Sequence, residues 1–233
     1  MKKDKQGCDT GTCMVCRLCM KEWLPAVEAG SVHFTYRKGQ ELFKEGDPVK
    51  GIFFIYKGSV KVHKHWDEDK ELIVRFAKKG DIVGHRGIGF EPVYPVTATA
   101  LEAVTVCYFD IAFWEASLKV NHQLLYELML FYARELQESE RKMRNLAHMP
   151  VKGRIAQALI SLENKFGRNG SGFIDFGLSR QDLASYIGAT YETTFRMLQE
   201  MIQEHLIVMS GKEIAVADRA GLLRLCGLPA DQT

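Results

Sequence analysis

The sequence predicts an α+β chain: an N-terminal antiparallel β-roll or jelly roll, one long helix, and a C-terminal winged helix-turn-helix. Three observations carry this. Between residues 31 and 110, β-branched and aromatic runs alternate with turn signals at short, regular intervals. Between 111 and 149 the apolar period lengthens to alternating steps of four and three. Segment 178–207 places capping residues, a small residue and a glycine at the spacing of two helices joined by a tight turn.

The chain has 233 residues, enough for two small domains with separate cores. The expected organisation is a Cys-rich segment over 1–22, a β-roll over 23–120, the long helix over 121–149, and a smaller α-rich domain over 150–233. Net charge is only +2, and residues 150–233 hold nine Lys/Arg against nine Asp/Glu. Composition therefore does not announce a nucleic-acid binder, and such a reading must rest on a motif and on local charge placement. The opening MKKDKQGCDTGTC has no apolar stretch of signal-peptide length, and no run approaches the roughly 18 apolar residues of a membrane span. A cytoplasmic protein without a membrane partner is expected. The enzyme-like pattern of His63, His65 and Glu71 on a barrel is set aside. Strand alternation puts Val60 and Val62 in the core and turns Lys61, His63 and His65 outward. No enzyme activity is expected.

The strand signals fall at 34–36, 51–56, 60–63, 72–76 and 104–109. Between them stand Lys38-Gly39, Glu45-Gly46-Asp47-Pro48, Lys57-Gly58 and Lys79-Gly80-Asp81. On the long helix, Leu125, Met129, Tyr132, Leu136, Ser139, Met143 and Leu146 form a narrow heptad stripe flanked by Arg134, Glu135, Glu138 and Arg141. One chain buries such a stripe poorly, so the expectation is a parallel homodimer with these seven residues at its interface. Pro150 marks the next boundary, because residues before proline avoid helical geometry.

In 178–207, Ser179 with Asp182 three residues on is an N-cap signature. Leu183 and Ile187 supply the apolar face of the first helix, Ala184 lets a second helix approach, and Gly188 makes the turn. Thr190 caps the second helix, expected over 191–204. Its inward residues are Thr194, Met197, Leu198 and Met201, which leaves Tyr191, Glu192, Thr193, Phe195, Arg196 and Gln199 outward. This is a helix-turn-helix whose second helix would enter a DNA major groove. Arg196 suits guanine and Glu192 suits cytosine, while Thr190 and Thr193 can reach a phosphate or a thymine methyl. A hairpin over 206–216 makes the motif winged, with Lys212 at its turn available for a phosphate.

Four of the six cysteines, Cys8, Cys13, Cys16 and Cys19, crowd the first nineteen residues. Thiolates bind soft metals, and Cys-x-x-Cys-x-x-Cys lets neighbouring sulfurs converge on one metal ion or iron–sulfur cluster. Four sulfurs suit tetrahedral zinc equally, and thiol–disulfide exchange is a further alternative. Residues 1–22 are otherwise short of core-forming side chains and are expected to need a ligand to become ordered. Cys226, near the C-terminus, reads as a packing residue.

Barrel, glycine-rich turn, long helix and winged helix-turn-helix together resemble the CRP/FNR family of bacterial transcription regulators, from residue 34 to 216. The most specific stretches are Gly80-Asp81-Ile82-Val83-Gly84, Ala100-Leu101-Glu102, and Ser179-Arg180-Gln181-Asp182-Leu183-Ala184 running on to Glu192-Thr193-Thr194-Phe195-Arg196. The resemblance implies a sensor role for the roll, a dimerisation role for the long helix, and binding to palindromic double-stranded DNA. It also implies contact with RNA polymerase. Base contacts map onto Glu192 and Arg196, with Arg180, Thr190, Tyr191, Phe195 and Lys212 completing the expected DNA-binding set. Tyr191 stands where the cAMP receptor branch has Arg, and Phe195 where the FNR branch has Ser. His85 and Tyr94 stand at or near the places where cAMP-binding members hold ribose and phosphate with Glu and Arg, so cAMP is not the expected ligand. Cys107 matches the fourth ligand position of the FNR branch, which holds an oxygen-labile [4Fe–4S] cluster. The ligand set so implied is Cys13, Cys16, Cys19 and Cys107, with Cys8 as alternate. The N-terminal spacing of four, two and two residues departs from the branch's two and five. The expectation is a DNA-binding regulator switched by an oxygen- or NO-labile cluster. The alternative is a regulator with structural zinc or redox thiols that senses another small molecule.

Overall fold

The computed structural model describes residues 2–4, 13–67 and 70–227. Cys8 lies outside the described residues. The chain divides into two compact units, 1–65 with 74–136, and 66–73 with 137–233.

The first unit is built on two antiparallel sheets. Strands β1 (Lys2–Asp4), β2 (Ser31–Tyr36), β3 (Glu41–Phe43), β4 (Gly51–Lys57), β5 (Val60–His65), β6 (Glu71–Ala77), β7 (Ile82–Val83), β8 (Thr97–Ala100) and β9 (Val104–Asp110) follow in chain order. They form sheets ordered β1-β2-β9-β4-β7 and β3-β8-β5-β6. Strands β1, β3, β7 and β8 fall where the sequence signals none. β8 reads Thr-Ala-Thr-Ala, with no apolar run to mark it; it is a strand because β3 and β5 flank it on both sides.

Alternation along the central strands sorts side chains into two cores. Phe34 and Tyr36 of β2, Phe53 and Ile55 of β4, and Val104 and Val106 of β9 face the interior of the roll, with Val60, Val62, Ala98 and Ala100. The intervening residues Ile52, Phe54, Cys107 and Phe109 face the other way, into a second core made with helices. Those helices are α1 (Met14–Leu18), α2 (Leu24–Gly30), α3 (Ile111–Val120) and the first half of α4 (His122–His148). Trp114 of α3 and Leu124 of α4 are fully buried there. Asp110 caps α3, its carboxylate accepting from the Ala112 amide. On β5, Val60 and Val62 face the core as expected, and His63 points to the opposite face of the sheet; that face is covered too, so the ring is buried, with Nε2 2.8 Å from Thr99 Oγ1.

The sequence reading leaves residues 1–22 short of core-forming side chains. Val15 is an exception: it is 1% exposed and sits in the second core with Cys13, Cys16 and Cys19. Two hydrogen bonds anchor the adjoining stretch of chain. The Met20 amide donates to Asn121 Oδ1 at 2.8 Å, and Trp23 Nε1 donates to Ser117 Oγ at 3.0 Å.

The second unit holds α5 (Val151–Phe166), α6 (Arg180–Ile187), α7 (Tyr191–Gln203), β10 (Ile207–Ser210), β11 (Glu213–Val216) and α8 (Arg219–Leu225), with the second half of α4. Pro150 occupies the N-cap of α5, two residues past the end of α4. Its core includes Ile155, Leu159, Leu162, Leu183, Leu198 and Met201. Cys226 is half-buried, its Sγ 3.7 Å from the Gly153 carbonyl oxygen, consistent with a packing role.

Gly51 is where β4 passes closest to β9: a Cβ there would lie 2.2 Å from the Phe109 carbonyl oxygen and 2.5 Å from the Tyr108 ring. Gly51→Ala should force the two central strands apart and cost about 1–3 kcal/mol, read as a lowered urea midpoint with the far-UV spectrum retained.

Candidate metal centre and DNA-reading helix

The three N-terminal thiols come from seven consecutive residues around one short helix. Cys13 is the N-cap of α1, Cys16 lies within it, and Cys19 is its C-cap, with its amide donating to the Val15 carbonyl at 2.8 Å. Positions three apart on a helix share a face. All three are buried, as is Cys107, and the four belong to one cluster with Val27, Ile52, Phe54, Phe109, Trp114, Leu124 and Leu128. Burial pushes the Cys19 thiol up to about 11, because desolvation disfavours the thiolate. A metal that deprotonates its ligands offsets that penalty directly.

Sequence reasoning missed His33. It stands directly across from Cys107 in the β2–β9 register, so both side chains occupy one face of the sheet. It is 5% exposed, and among the described residues its Nε2 has no hydrogen-bond partner. Trp114 Nε1, in the same core as the thiols, is likewise buried without a partner. A buried donor without an acceptor is costly, and a group seated among the thiols would supply one. Four buried thiols, apolar walls and the partnerless Trp114 N–H make a donor set with the chemistry of an iron–sulfur site. Only the cross-strand register exposes His33, and register cannot be read from a lone histidine in a strand.

Aromatic side chains pack inside the roll. Tyr94 is buried, stacks on Phe43 at 4.1 Å between ring centroids, and donates its hydroxyl to the Gly51 carbonyl at 2.7 Å. His85 is buried edge-on against Phe131 and Tyr132 of α4. Burial, reinforced by the Arg75 charge, pushes the His85 imidazole down to about 3. It is therefore neutral near pH 7, and its 3.9 Å approach to Glu135 is not an ion pair. Burial alone would raise the Glu135 carboxyl, but Arg75 and Arg86 outweigh it and hold the group below its usual range. Arg86 Nη2 lies 2.7 Å from Glu135 and Arg75 Nη1 lies 3.5 Å from it, fastening α4 to the roll.

In the second unit the local signals are realised atom by atom. Ser179 Oγ accepts from the Asp182 amide, and Gly188 ends α6 in the left-handed region at φ 65°. Thr190 Oγ1 accepts from the Thr193 amide and opens α7. The Thr190 hydroxyl also lies 3.0 Å from Thr193 Oγ1. Thr194, Leu198 and Met201 are buried while Met197 is only half-buried. Tyr191, Glu192, Phe195, Arg196 and Gln199 are exposed along one flank of α7, and Lys212 is exposed at the turn of the wing. Arg180 is turned inward. Its guanidinium lies 5.5 Å from the Phe195 ring centre, and its Nη2 donates to the Gly211 carbonyl at 3.3 Å.

Residues 33–121 match the model of the cyclic nucleotide-binding domain, and residues 153–225 match that of the Crp-like helix-turn-helix domain. The transcriptional activator protein FnrA of Stutzerimonas stutzeri is 32% identical over 193 residues, covering 82% of this chain and 79% of that protein. The chain belongs to the CRP/FNR family of transcription regulators. Electron transport regulator A of Shewanella oneidensis is 30% identical over 193 residues, covering 82% of this chain and 77% of that protein. Among solved structures, FixK2 from Bradyrhizobium japonicum matches with a TM-score of 0.74 at 24% identity, covering 87% of this chain and 99% of that one, which shows the shared fold. The protein is a DNA-binding transcription regulator, and its relatives are regulators rather than enzymes. Among the described residues, no helix is long and apolar enough to cross a membrane.

Set against these family relationships, His85 has a measurable consequence. The folded state keeps it neutral down to about pH 3, whereas an unfolded chain protonates it near 6.5. Between those values the unfolded state binds the extra proton, so stability falls as pH falls through that window. His85→Gln should flatten this slope: the loss of urea midpoint on acidification into the window should be smaller than in the wild type.

Proposed function

We propose that Cys13, Cys16, Cys19 and Cys107 hold a [4Fe–4S] cluster, and that its integrity sets whether a homodimer of this protein reads palindromic DNA. The observation that carries this is the meeting of all four cysteines in one buried core with the first two turns of α4. Several relatives bear names consistent with the reading, among them the anaerobic regulatory protein of Pasteurella multocida and the fumarate and nitrate reduction regulatory protein of Vibrio cholerae. Bound there, such a cluster would cross-link residues 13–19 to β9 until oxygen or nitric oxide degraded it.

The coupling runs through the two faces of α4. Leu124 and Leu128 are buried in the core that holds the thiols, while the adjacent Leu125 and Met129 are exposed. Leu136, Met143 and Leu146 continue the exposed stripe, with Ser139 among them, which supports the expected dimer seam. Tyr132 of that stripe is half-buried and donates its hydroxyl to the His85 carbonyl, so it serves its own chain as well. With residues 13–19 in place, Leu124 and Leu128 have a complete wall and the outer face of α4 is held in one orientation. Without them that wall is lost, and pairing of α4 with its partner weakens. Phe43, Phe53 and Tyr94 pack together inside the roll, and the reading places the signal at the thiols. The dimer would act in the cytoplasm, place two copies of α7 in successive major grooves, and work with RNA polymerase.

Protein purified without air should carry about four iron and four sulfide per chain, lost on brief air exposure. Cys107→Ser should prevent that loading and weaken DNA binding by about 5- to 150-fold. Stoichiometric zinc, or no metal, in the anaerobic wild type would overturn the cluster and favour a structural-zinc or thiol reading.

A further inference from the structure

The reading helix carries an aromatic pair beside the two residues expected to contact bases. Tyr191 and Phe195 are four apart on α7, 41% and 39% exposed, with ring planes 7° from parallel and centroids 6.3 Å apart. Two large rings side by side on an otherwise polar, solvated flank expose apolar surface that gains nothing from water. Phe195 is also braced. The Arg180 guanidinium lies against its ring and is itself tied to the wing through the Gly211 carbonyl. Arg180 Nε is buried with no partner among the described residues, so the guanidinium is held by its ring contact and by that one carbonyl. The ring is thus held toward the same flank as Glu192 and Arg196, each one residue from an aromatic neighbour.

In the major groove only thymine presents an apolar group, its 5-methyl; guanine and cytosine present only hydrogen-bonding atoms there. Arg196 and Glu192 have the chemistry for a G·C pair. The neighbouring rings have none for donor–acceptor readout apart from the Tyr191 hydroxyl, and they match a methyl group.

We propose that Tyr191 and Phe195 determine half-site specificity by packing on thymine 5-methyl groups next to the G·C pair read by Arg196 and Glu192, with Arg180 positioning the Phe195 ring. The proposal rests on α7 reading the major groove, and it is independent of the identity of the metal.

The test removes the methyl and nothing else. Full-length protein, in the metal state that binds DNA, is used to enrich duplexes from a pool of random inverted half-sites. The enriched duplex is then remade with deoxyuridine replacing thymidine at one position at a time, and affinity is read by fluorescence anisotropy. A thymine beside the G·C pair should be enriched, and its replacement by deoxyuridine should weaken wild-type binding about three- to fivefold per methyl. Phe195→Ser and Tyr191→Ala should bind the two duplexes equally. Arg180→Ala should blunt the discrimination while leaving Arg196-dependent guanine preference in place. Equal wild-type affinity for both duplexes at every thymine overturns the proposal, and this arm needs no variant to fold. A pool that shows no enrichment overturns the groove reading itself, and the inference falls with it. Absence of iron in the same preparation would bear only on the cluster.

Discussion

Burial of the central strands on both faces is the constraint on which the first unit depends. β9 and β4 have no solvent side: Val104, Val106, Phe53 and Ile55 close the roll, while Cys107, Phe109, Ile52 and Phe54 must be covered by something else. A two-faced strand in an antiparallel roll needs a third layer, and α1 to α4 provide it. Cys107 faces that layer because its neighbours Val106 and Tyr108 face the roll. A shift of one residue in β9 would bury Cys107 among the valines and take it out of the core that holds the N-terminal thiols.

In the proposed reading, this layer is what would let the thiol site bear on DNA binding. α4 is shared by the two compact units, its first half in one and its second half in the other. Its inner residues Leu124 and Leu128 complete the thiol core, and its Glu135 is clamped by Arg75 and Arg86. The proposed switch requires that what holds the inner face of this helix sets the orientation of its outer face. Rigid elements with two alternative packings transmit bias in this way without any continuous deformation.

Much of this was legible in the sequence, and what was legible was local. Ser179, Asp182, Gly188 and Thr190 act on residues within one turn, so spacing alone located α6, the turn and α7. The long strands were visible for the same reason, as apolar runs between turn glycines. β8 was not, because Thr97–Ala100 owes its strand conformation to neighbours distant in the chain. His33 was missed because its meeting with Cys107 is a matter of cross-strand register. Arg180 was legible only as one of the DNA-binding set, because its contacts with Phe195 and Gly211 join residues far apart in the chain. The heptad stripe was read correctly as a spacing, yet Tyr132 turns out to be shared with the carbonyl of His85.

Amide hydrogen exchange on anaerobically purified protein, before and after brief air exposure, tests the proposed link between thiol site and helix most directly. Residues 13–19, the β9 segment Val104–Asp110 and the start of α4 over 121–132 should lose protection together, while α5 and α6 remain unchanged. Loss of protection confined to 13–19, with 121–132 as protected as before, would contradict it: the thiols would then be a local feature of the N-terminus with no hold on the helix.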